Sequence, residues 1–231
     1  MENLIINNLT KGYFKKKALN NFSYSFKKGI VYGLIGPNGS GKTTLMKTIY
    51  GLVKPTKGTL SMNHNKISYK TRKNIAFMPT EDVFMPNLMV SEILKFYNNT
   101  FEDFSLEKSH KILENMKLPL DEKIETFSTG MKMRLKVTLC LSRNVELYMF
   151  DEPLNGIDVI SKDLIKNTII SMTSENSTIV ISSHALNEME LILEQVLFLN
   201  EGSLIRNINL EEFRDTENKS LESLYWEVYN V

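Results

Sequence analysis

The amino-acid sequence predicts an α/β fold in which helices cover a mainly parallel β-sheet. Two observations predict it. Short apolar runs typical of buried strands alternate with helical stretches in the last third of the chain. Near the N-terminus, the apolar run at 31–35 passes directly into the glycine-rich segment GPNGSGKTT and then into the helical stretch LMKTIYGL. Because strands that alternate with helices favour parallel pairing, we expect one sheet with helical crossovers.

The individual elements follow from hydrophobic period and from turn residues. Strands are predicted in order at residues 4–6, 22–26, 30–35, 59–62, 75–78, 147–150, 178–181 and 196–199. Helical spacing of apolar residues predicts helices between about 89 and 118, at 162–172 and at 185–193. After residue 211 the sequence is polar and then aromatic, and it predicts only a terminal helix.

No repeat or low-complexity linker divides the chain, so we expect one domain over residues 1–231. Within it, 1–84 and 143–210 are predicted to form an α/β core with a β subdomain. Residues 85–142 are predicted to be a helical insertion, and 211–231 a C-terminal tail.

Composition excludes several classes of protein. With 28 Lys and Arg against 27 Asp and Glu, the net charge is +1, and no nucleic-acid partner is expected. The short lysine cluster at 15–17 predicts a solvated hairpin tip. The only cysteine, Cys140, excludes an intrachain disulfide and is predicted to be a buried thiol. No run approaches the ~18 apolar residues of a membrane span. We therefore expect a cytosolic chain, with any membrane spans supplied by another polypeptide.

The first chemical motif is a phosphate-binding loop. Residues 36–43 fit G-x-x-x-x-G-K-[ST] between a predicted strand and a predicted helix. Glycines let backbone amides turn toward phosphates, the following helix directs its positive end at them, and a lysine adds a point charge. A plain glycine-rich helix cap is the structural alternative. The expected nucleotide-binding residues are Asn38, Gly39, Ser40, Gly41, Lys42, Thr43 and Thr44, with the Thr43 hydroxyl directed at Mg²⁺.

The second motif is an acidic pair after an apolar strand. Asp151 and Glu152 follow the run LYMF, which places two carboxylates at the carboxyl end of a buried strand, where open α/β sheets bind ligands. Asp151 is predicted to organise Mg²⁺, and Glu152 to polarise an attacking water. Solvated acids at a strand end are the alternative interpretation.

Four segments together resemble the ATPase subunits of ATP-binding cassette (ABC) transporters. They are the loop at 36–44, FSTGMKMRL at 127–135, MFDEPLNGID ending at Asp158, and ISSHALNEME containing His184. The resemblance covers nearly the whole chain. It implies a P-loop NTPase core of the RecA-like type, a small antiparallel β subdomain on the N-terminal side, and an inserted helical subdomain.

The resemblance also implies roles for residues that the motifs above do not include. Tyr13 matches the aromatic residue that stacks on adenine. Ser128 and Gly130 match the signature loop that caps the γ-phosphate of ATP held by the opposite subunit. Asp158 matches a loop at the dimer interface, and His184 matches the histidine that contacts the γ-phosphate. ATP and Mg²⁺ are the implied ligands, and a second ATPase subunit and a membrane-spanning subunit are the implied partners.

The sequence departs from the family pattern at two places. Thr80, followed by Glu81, stands where the family has a glutamine that touches the metal and the water. Threonine is too short to reach as glutamine does, so either Glu81 replaces the glutamine after a backbone shift or the link is weaker. In the signature, Thr129 and Met131 replace a glycine and a glutamine. In the family, the methionine-rich segment at 84–89 lines the groove for the membrane subunit, and burial within the helical segment is the alternative.

The segment FSTGMKMRL has an ambiguous period. Its apolar residues Met131, Met133 and Leu135 alternate as in a strand, but the run is long and rich in good helix formers, which favours a buried helix.

The resemblance to ABC ATPase subunits implies a peripheral ATPase on the cytoplasmic face of the membrane, serving a bacterial exporter of peptides or antimicrobial compounds. A soluble ABC ATPase of DNA repair, chromosome structure or translation is the alternative. A regulatory module without turnover is a third possibility, which Glu152 and His184 argue against.

Overall fold

The computed structural model describes residues 2–14, 16–82, 84–85, 87–172, 176–184, 189–217 and 219–229. Within these ranges the strands are β1 (Glu2–Tyr13), β2 (Lys16–Lys27), β3 (Val31–Ile35), β4 (Lys57–Met62), β5 (Asn65–Lys66), β6 (Ile75–Met78), β7 (Leu147–Asp151), β8 (Thr178–Ser183), β9 (Gln195–Asn200) and β10 (Ser203–Asn209). The α-helices are α1 (Lys42–Ile49), α2 (Val90–Thr100), α3 (Leu106–Asn115), α4 (Thr129–Leu141), α5 (Val159–Met172), α6 (Leu210–Thr216) and α7 (Leu221–Tyr229). Short 3-10 helices lie at Thr71–Asn74 and Ile124–Thr126.

Two sheets form the framework. The larger has the order β10-β9-β3-β8-β7-β6, and every pairing in it is parallel except that of β9 with β10. The smaller sheet, β2-β1-β4-β5, is antiparallel and is built from the N-terminal third of the chain. The predicted α/β fold with a mainly parallel sheet and a small antiparallel sheet is confirmed.

The two faces of the larger sheet support separate hydrophobic cores. On β3, Tyr32 and Leu34 pack with α1 and the smaller sheet, whereas Val31 and Ile35 pack with the helices of the opposite face. Side chains alternate across a strand, so a strand covered on both sides is apolar throughout. This explains why β3 and β7 consist entirely of buried residues.

The segment whose apolar residues alternate as in a strand forms helix α4, so the predicted helix is confirmed. Most of its residues from Met133 to Leu141 are buried, and it packs against α3, α5 and β6. A helix enclosed on several sides has no polar stripe, so its period carries little information. Cys140 is buried, as expected.

Other predictions are refined or corrected. The C-terminal tail forms two helices, α6 and α7, rather than one, because Glu217 ends α6 in an extended conformation. Strand β10 follows the turn after β9 and was not predicted. Of the helix predicted at 185–193, residues 185–188 lie outside the described residues and 189–192 form turns.

The predicted domain boundaries stay predictions, although α2, α3 and α4 all fall between residues 85 and 142. Within the described residues, no helix has both the length and the apolar character needed to span a bilayer.

Candidate functional site

The glycine-rich loop lies where the sequence predicts it, between β3 and α1 at the carboxyl edge of the larger sheet. At two positions of the loop, neighbouring backbone atoms leave no room for a side chain. A Cβ on Gly36 would lie 2.4 Å from the carbonyl oxygen of Leu199, and one on Gly41 would lie 2.4 Å from that of Ala18. Gly41 also has a φ of 110°, which side chains disfavour. No side chain caps α1, so its first amides are free to bind an anion.

Lys42 is held inside this loop. Its side chain is buried, and its ammonium donates to the carbonyl of Gly36 at 2.6 Å and approaches that of Pro37 at 3.4 Å. Nζ also lies 3.6 Å from a carboxylate oxygen of Glu152. The lysine is therefore fixed as a point charge within the loop.

A hydroxyl and carboxylate cluster lies beside the loop. The Thr43 hydroxyl donates to Oδ2 of Asp151 at 2.7 Å, and the Ser182 hydroxyl donates to Oδ1 at 2.6 Å. Register pairs Asp151 with Ser182 on neighbouring strands, which explains the contact. Asp151 is fully buried, so these bonds offset part of its desolvation. Sequence interpretation missed Ser182; its only signal is its place at a strand end, two residues before His184.

Glu152 connects the loop to His184. One carboxylate oxygen faces Lys42 and the other lies 2.8 Å from Nδ1 of His184. The backbone of Glu152 has a φ of 52°, and its amide donates to the Ser182 hydroxyl at 2.9 Å. The structure thus brings together Lys42, Glu152 and His184, and the roles expected of these three residues stay predictions.

These groups line one open cavity of about 410 Å³. Its walls are Tyr13, Lys16, Ala18, the loop residues from Asn38 to Thr44, Thr80, Glu152, Asn155 and His184. All seven predicted loop residues are therefore present. Lys16 and Asn155 were not predicted: Lys16 belongs to the cluster interpreted as a solvated tip, and although exposed it borders the cavity. No signal in the sequence distinguishes Lys16 from its neighbours.

Tyr13 stands at the mouth of the cavity. It ends β1 and is 45% exposed, so a large part of its ring is open to a ligand. Nζ of Lys11 lies 4.9 Å from the ring centroid. An exposed aromatic ring next to a phosphate-binding loop is a stacking surface for a flat heterocycle.

Ser128, Gly130 and Asp158 form a separate group. Ser128 caps α4, its hydroxyl accepting from the amide of Met131 at 3.2 Å. A Cβ on Gly130 would lie 2.6 Å from Oδ2 of Asp158, and that carboxylate accepts two hydrogen bonds from Ser161, which lower its pKa. In the described part of the chain, none of these three residues lines the cavity around Lys42.

Thr80 and Glu81 have different surroundings. The Thr80 hydroxyl lies 3.4 Å from the carbonyl oxygen of Asp151, and Thr80 lines the cavity. The carboxylate of Glu81 instead pairs with Lys47 of α1, and this contact lowers its pKa. Glu81 is therefore not positioned as a substitute for the family's glutamine in this conformation.

A second cavity of about 380 Å³ lies between the α/β core and α2 and α4. Its walls include Tyr50, Phe77, Tyr97, Phe101 and Leu139, so it is largely apolar. In the methionine-rich segment, Met85 is 70% exposed and Met89 39%, whereas Phe84 and Leu88 are partly buried against the core. Pro86 lies outside the described residues.

The chain is similar in sequence to ATP-binding proteins of known transporters. Residues 19–155 match the family model described as ABC transporter. The chain is 36% identical over 224 residues to the lantibiotic transport ATP-binding protein SrtF of Streptococcus pyogenes, covering 96% of this chain and 95% of SrtF. It is 34% identical over 222 residues to the ABC transporter ATP-binding protein YcbN of Bacillus subtilis (strain 168), covering 94% and 72% of the two chains. The bacitracin transport ATP-binding protein BcrA of Bacillus licheniformis is 33% identical over 220 residues, covering 93% and 72%.

Solved structures resemble the fold over nearly its full length. An ATP-binding subunit of an ABC transporter superposes with a TM-score of 0.87 at 25% identity, covering 98% of this chain and 99% of the other. A dimeric ATP-binding cassette in a post-hydrolysis state, bound to ADP and Pi, superposes with a TM-score of 0.80 at 24% identity, covering 90% and 98%. At 24% identity, the likeness to the dimeric cassette is evidence for the fold alone.

Proposed function

The chain belongs to the ABC transporter family as an ATP-binding cassette, a class of ATPases, and from this premise we propose that two copies close around two Mg-ATP and drive export through a separate membrane subunit. The observation that supports the proposal best is the convergence of Lys42, Glu152 and His184 on one cavity. The soluble alternative of DNA repair, chromosome structure or translation is less favoured, because the relatives described above are transporter subunits.

Lys42 and the start of α1 bind the phosphates in this proposal. The ammonium already lies among backbone carbonyls at the loop, so it needs little movement to reach the β- and γ-phosphates. The uncapped amides of α1 add partial positive charge to the same place. Tyr13 stacks on the adenine. Catalysis of phosphoryl transfer then consists mainly of positioning and of electrostatic stabilisation.

Glu152 acts as the general base. It accepts a proton from the water that attacks the γ-phosphate, while His184 fixes the direction of its carboxylate and donates toward the phosphate. The pair is pre-oriented, because one oxygen of Glu152 faces the ring and the other faces Lys42. Ordering of this kind lowers the entropic cost of reaching the reactive geometry.

Thr43 and Asp151 are suited to hold Mg²⁺. Both offer oxygen atoms, the donor type that Mg²⁺ prefers, and the 2.7 Å contact between them shows that they reach the same point. A Mg²⁺ ion held by Thr43 and Asp151 would supply positive charge that offsets the negative charge of the phosphates. Ser182 holds the remaining oxygen of Asp151, which fixes the orientation of the carboxylate.

The proposed dimer is supported by the separation of the signature residues from the phosphate-binding loop. Ser128 and Asp158 are exposed, and Gly130 is buried next to Asp158, whereas none of these three described residues lines the open cavity around Lys42. A second copy facing the first presents its Ser128 and Gly130 to the γ-phosphate. ATP is then enclosed between two chains, and hydrolysis releases them.

The membrane subunit and its cargo are inferred from relatives. SrtF and BcrA are named for transport of a lantibiotic and of bacitracin, so peptides and other antimicrobial compounds are the proposed cargo. The exposed methionines Met85 and Met89 are suited to adaptable docking of a membrane subunit, since methionine packs against varied shapes. In this proposal the ATPase works on the cytoplasmic face of the membrane, where it contacts that subunit.

The decisive experiment uses Glu152→Gln, which preserves shape and removes the base. We expect the purified wild-type chain to hydrolyse Mg-ATP, and Glu152→Gln to lose at least about a hundredfold in rate. The variant should also elute from gel filtration as a dimer in saturating Mg-ATP. Glu102→Gln, the same change at an exposed position, is the matched control and should behave as wild type. A Glu152→Gln chain that stays monomeric in Mg-ATP would contradict the closed-dimer mechanism.

A further inference from the structure

A buried lysine joins the signature helix to the loop that follows β6. Lys136 lies in the middle of α4 and is only 6% exposed. Its ammonium donates to the backbone carbonyl oxygens of Thr80 at 2.9 Å and of Glu81 at 2.8 Å. The residues are more than fifty positions apart in the sequence. Two consecutive carbonyls that share one ammonium are held in a single orientation relative to α4.

The position of this charge has no explanation in core packing. Burying an ammonium is costly unless it is hydrogen-bonded, and burial lowers the pKa of Lys136. Glu81 offers Lys136 only its backbone carbonyl, because its carboxylate is paired with Lys47 on α1. An apolar side chain at this buried position would avoid the cost of desolvating an ammonium. We therefore attribute the lysine to its contact with the loop.

The loop that Lys136 binds also touches the nucleotide site. The Thr80 hydroxyl reaches the carbonyl of Asp151 at 3.4 Å, and Thr80 borders the cavity that contains Lys42. The Glu81 carboxylate is paired with Lys47 on α1, the helix that follows the phosphate-binding loop. The segment 80–81 therefore contacts three elements: the end of β7, α1 and α4.

The other end of α4 carries the signature residues. Ser128 caps the helix and Gly130 lies in its first turn, about two helical turns before Lys136. Because Ser128 caps the same short helix that contains Lys136, the contact at Lys136 links Ser128 to the loop at 80–81, in addition to the packing of α4 against α3, α5 and β6. A weaker contact, Lys132 Nζ to Asp82 Oδ2 at 3.8 Å, joins the same two elements near the surface.

We propose that Lys136 is a positioning residue for ATP-driven closure: it transmits the state of the chain's own nucleotide site, through the carbonyls of Thr80 and Glu81, to the signature helix that completes the site of the other subunit. Lys136 touches neither ATP nor the reacting atoms. Its effect is to make the two sites of the dimer interdependent. The inference rests on the proposed function, since only a closed dimer has a second site for α4 to complete.

The test compares Lys136→Met, which keeps most of the unbranched side chain and removes the ammonium, with Lys136→Arg, which keeps the charge. We expect Lys136→Met to bind ATP as a monomer within about twofold of wild type. Its ATP-driven dimerisation should be weaker by about tenfold, the effect of losing a charged hydrogen bond, and its Hill coefficient for ATP should fall toward one. Lys136→Arg should recover most of both effects. Lys111→Met, the same change at an exposed lysine on α3, should change neither.

A second measurement does not depend on ATP turnover. In nucleotide-free protein, amide hydrogen exchange at residues 80–82 should be faster by about tenfold in Lys136→Met and unchanged in Lys111→Met. If wild type neither hydrolyses ATP nor dimerises, the proposed function fails, and this exchange still decides whether Lys136 holds the loop. If dimerisation and the Hill coefficient of Lys136→Met equal those of wild type, the positioning role is wrong. A loss of monomer ATP binding as large as the loss of dimerisation would also overturn it, since that pattern indicates a purely structural role.

Discussion

Nδ1 of His184 lies 2.8 Å from a carboxylate oxygen of Glu152, although the two residues come from the ends of different strands. Glu152 adopts a left-handed φ of 52°, uncommon for a residue other than glycine, asparagine or aspartate. The hydroxyl of Ser182 accepts a hydrogen bond from the amide of Glu152 and donates one to the carboxylate of Asp151. These two bonds stabilise the backbone conformation of Glu152. Local strain of this kind is found at functional sites, where surrounding contacts maintain it.

The contact between His184 and Glu152 predicts that the two residues act as one unit. His184→Ala should lower kcat by about a hundredfold, with a much smaller change in KM, because the base loses its fixed direction. The double variant with Glu152→Gln should be no slower than Glu152→Gln alone, since residues that act together are not additive. Phosphate release in steady state measures both. His110→Ala, at an exposed histidine of α3, is the control, and additive losses in the double variant would show independent roles.

The hydroxyl of Thr43 is expected to matter only in the presence of magnesium. Thr43→Ala removes the donor to Asp151 and one oxygen ligand, so the affinity for Mg-ATP should fall by about tenfold. Affinity measured in EDTA should change little. Thr43→Ser retains the hydroxyl and should stay close to wild type. Titration calorimetry with and without Mg²⁺ distinguishes these outcomes, and an equal loss in both conditions would indicate damage to the loop instead.

The departure from the family at Thr80 predicts a gain from restoring glutamine. Thr80 borders the cavity, and the longer amide side chain of glutamine at this position would extend further into it, where the attacking water is expected. Thr80→Gln should therefore raise kcat several-fold by orienting that water. Thr80→Val, which preserves shape and removes only the hydroxyl, is the control. An unchanged ATPase rate, together with unchanged coupling to transport, would exclude a role for this position.

The parts of the site that could be predicted from sequence are local. The phosphate-binding loop and the Asp151–Glu152 pair each depend on a strand and the residues that follow it, so short windows contain the whole signal. Ser182 and Lys16 depend on strand order, which a single sequence does not fix. Lys136 is the clearest case: a lysine inside an apolar helical run has no marker for the two carbonyls that it binds in a distant loop. The signature residues were identified by resemblance, because their proposed ligand belongs to another chain.

Burial of Cys140 predicts how stability depends on pH. Burial raises the pKa of this thiol from 9.0 to about 12. Between these values the folded state keeps a proton that the unfolded state has lost, so the free energy of unfolding falls as pH rises from 9 to 12. The fall from this one group is on the order of 4 kcal/mol at most.

Cys140→Ala should flatten that decline, although it lowers stability overall by removing buried volume. Denaturant unfolding at a series of pH values above 8 measures the slope, and comparison of slopes separates this effect from the loss of packing. The native thiol should also resist alkylation at neutral pH until the protein unfolds. Rapid alkylation of the folded chain would show that Cys140 is accessible and would contradict the burial.

A hydroxyl of the C-terminal helix supports the strand that leads into the phosphate-binding loop. The hydroxyl of Tyr229 lies 2.8 Å from the carbonyl oxygen of Leu199 and 3.2 Å from that of Ile35, the residue before Gly36. Tyr229→Phe should lower the free energy of unfolding by about 1 kcal/mol. It should also weaken ATP binding several-fold, because Ile35 and Gly36 lose a fixed anchor. Tyr225→Phe, on the same helix, should change ATP affinity much less. If Tyr229→Phe lowers stability but leaves ATP affinity unchanged, α7 stabilises the sheet without positioning the loop.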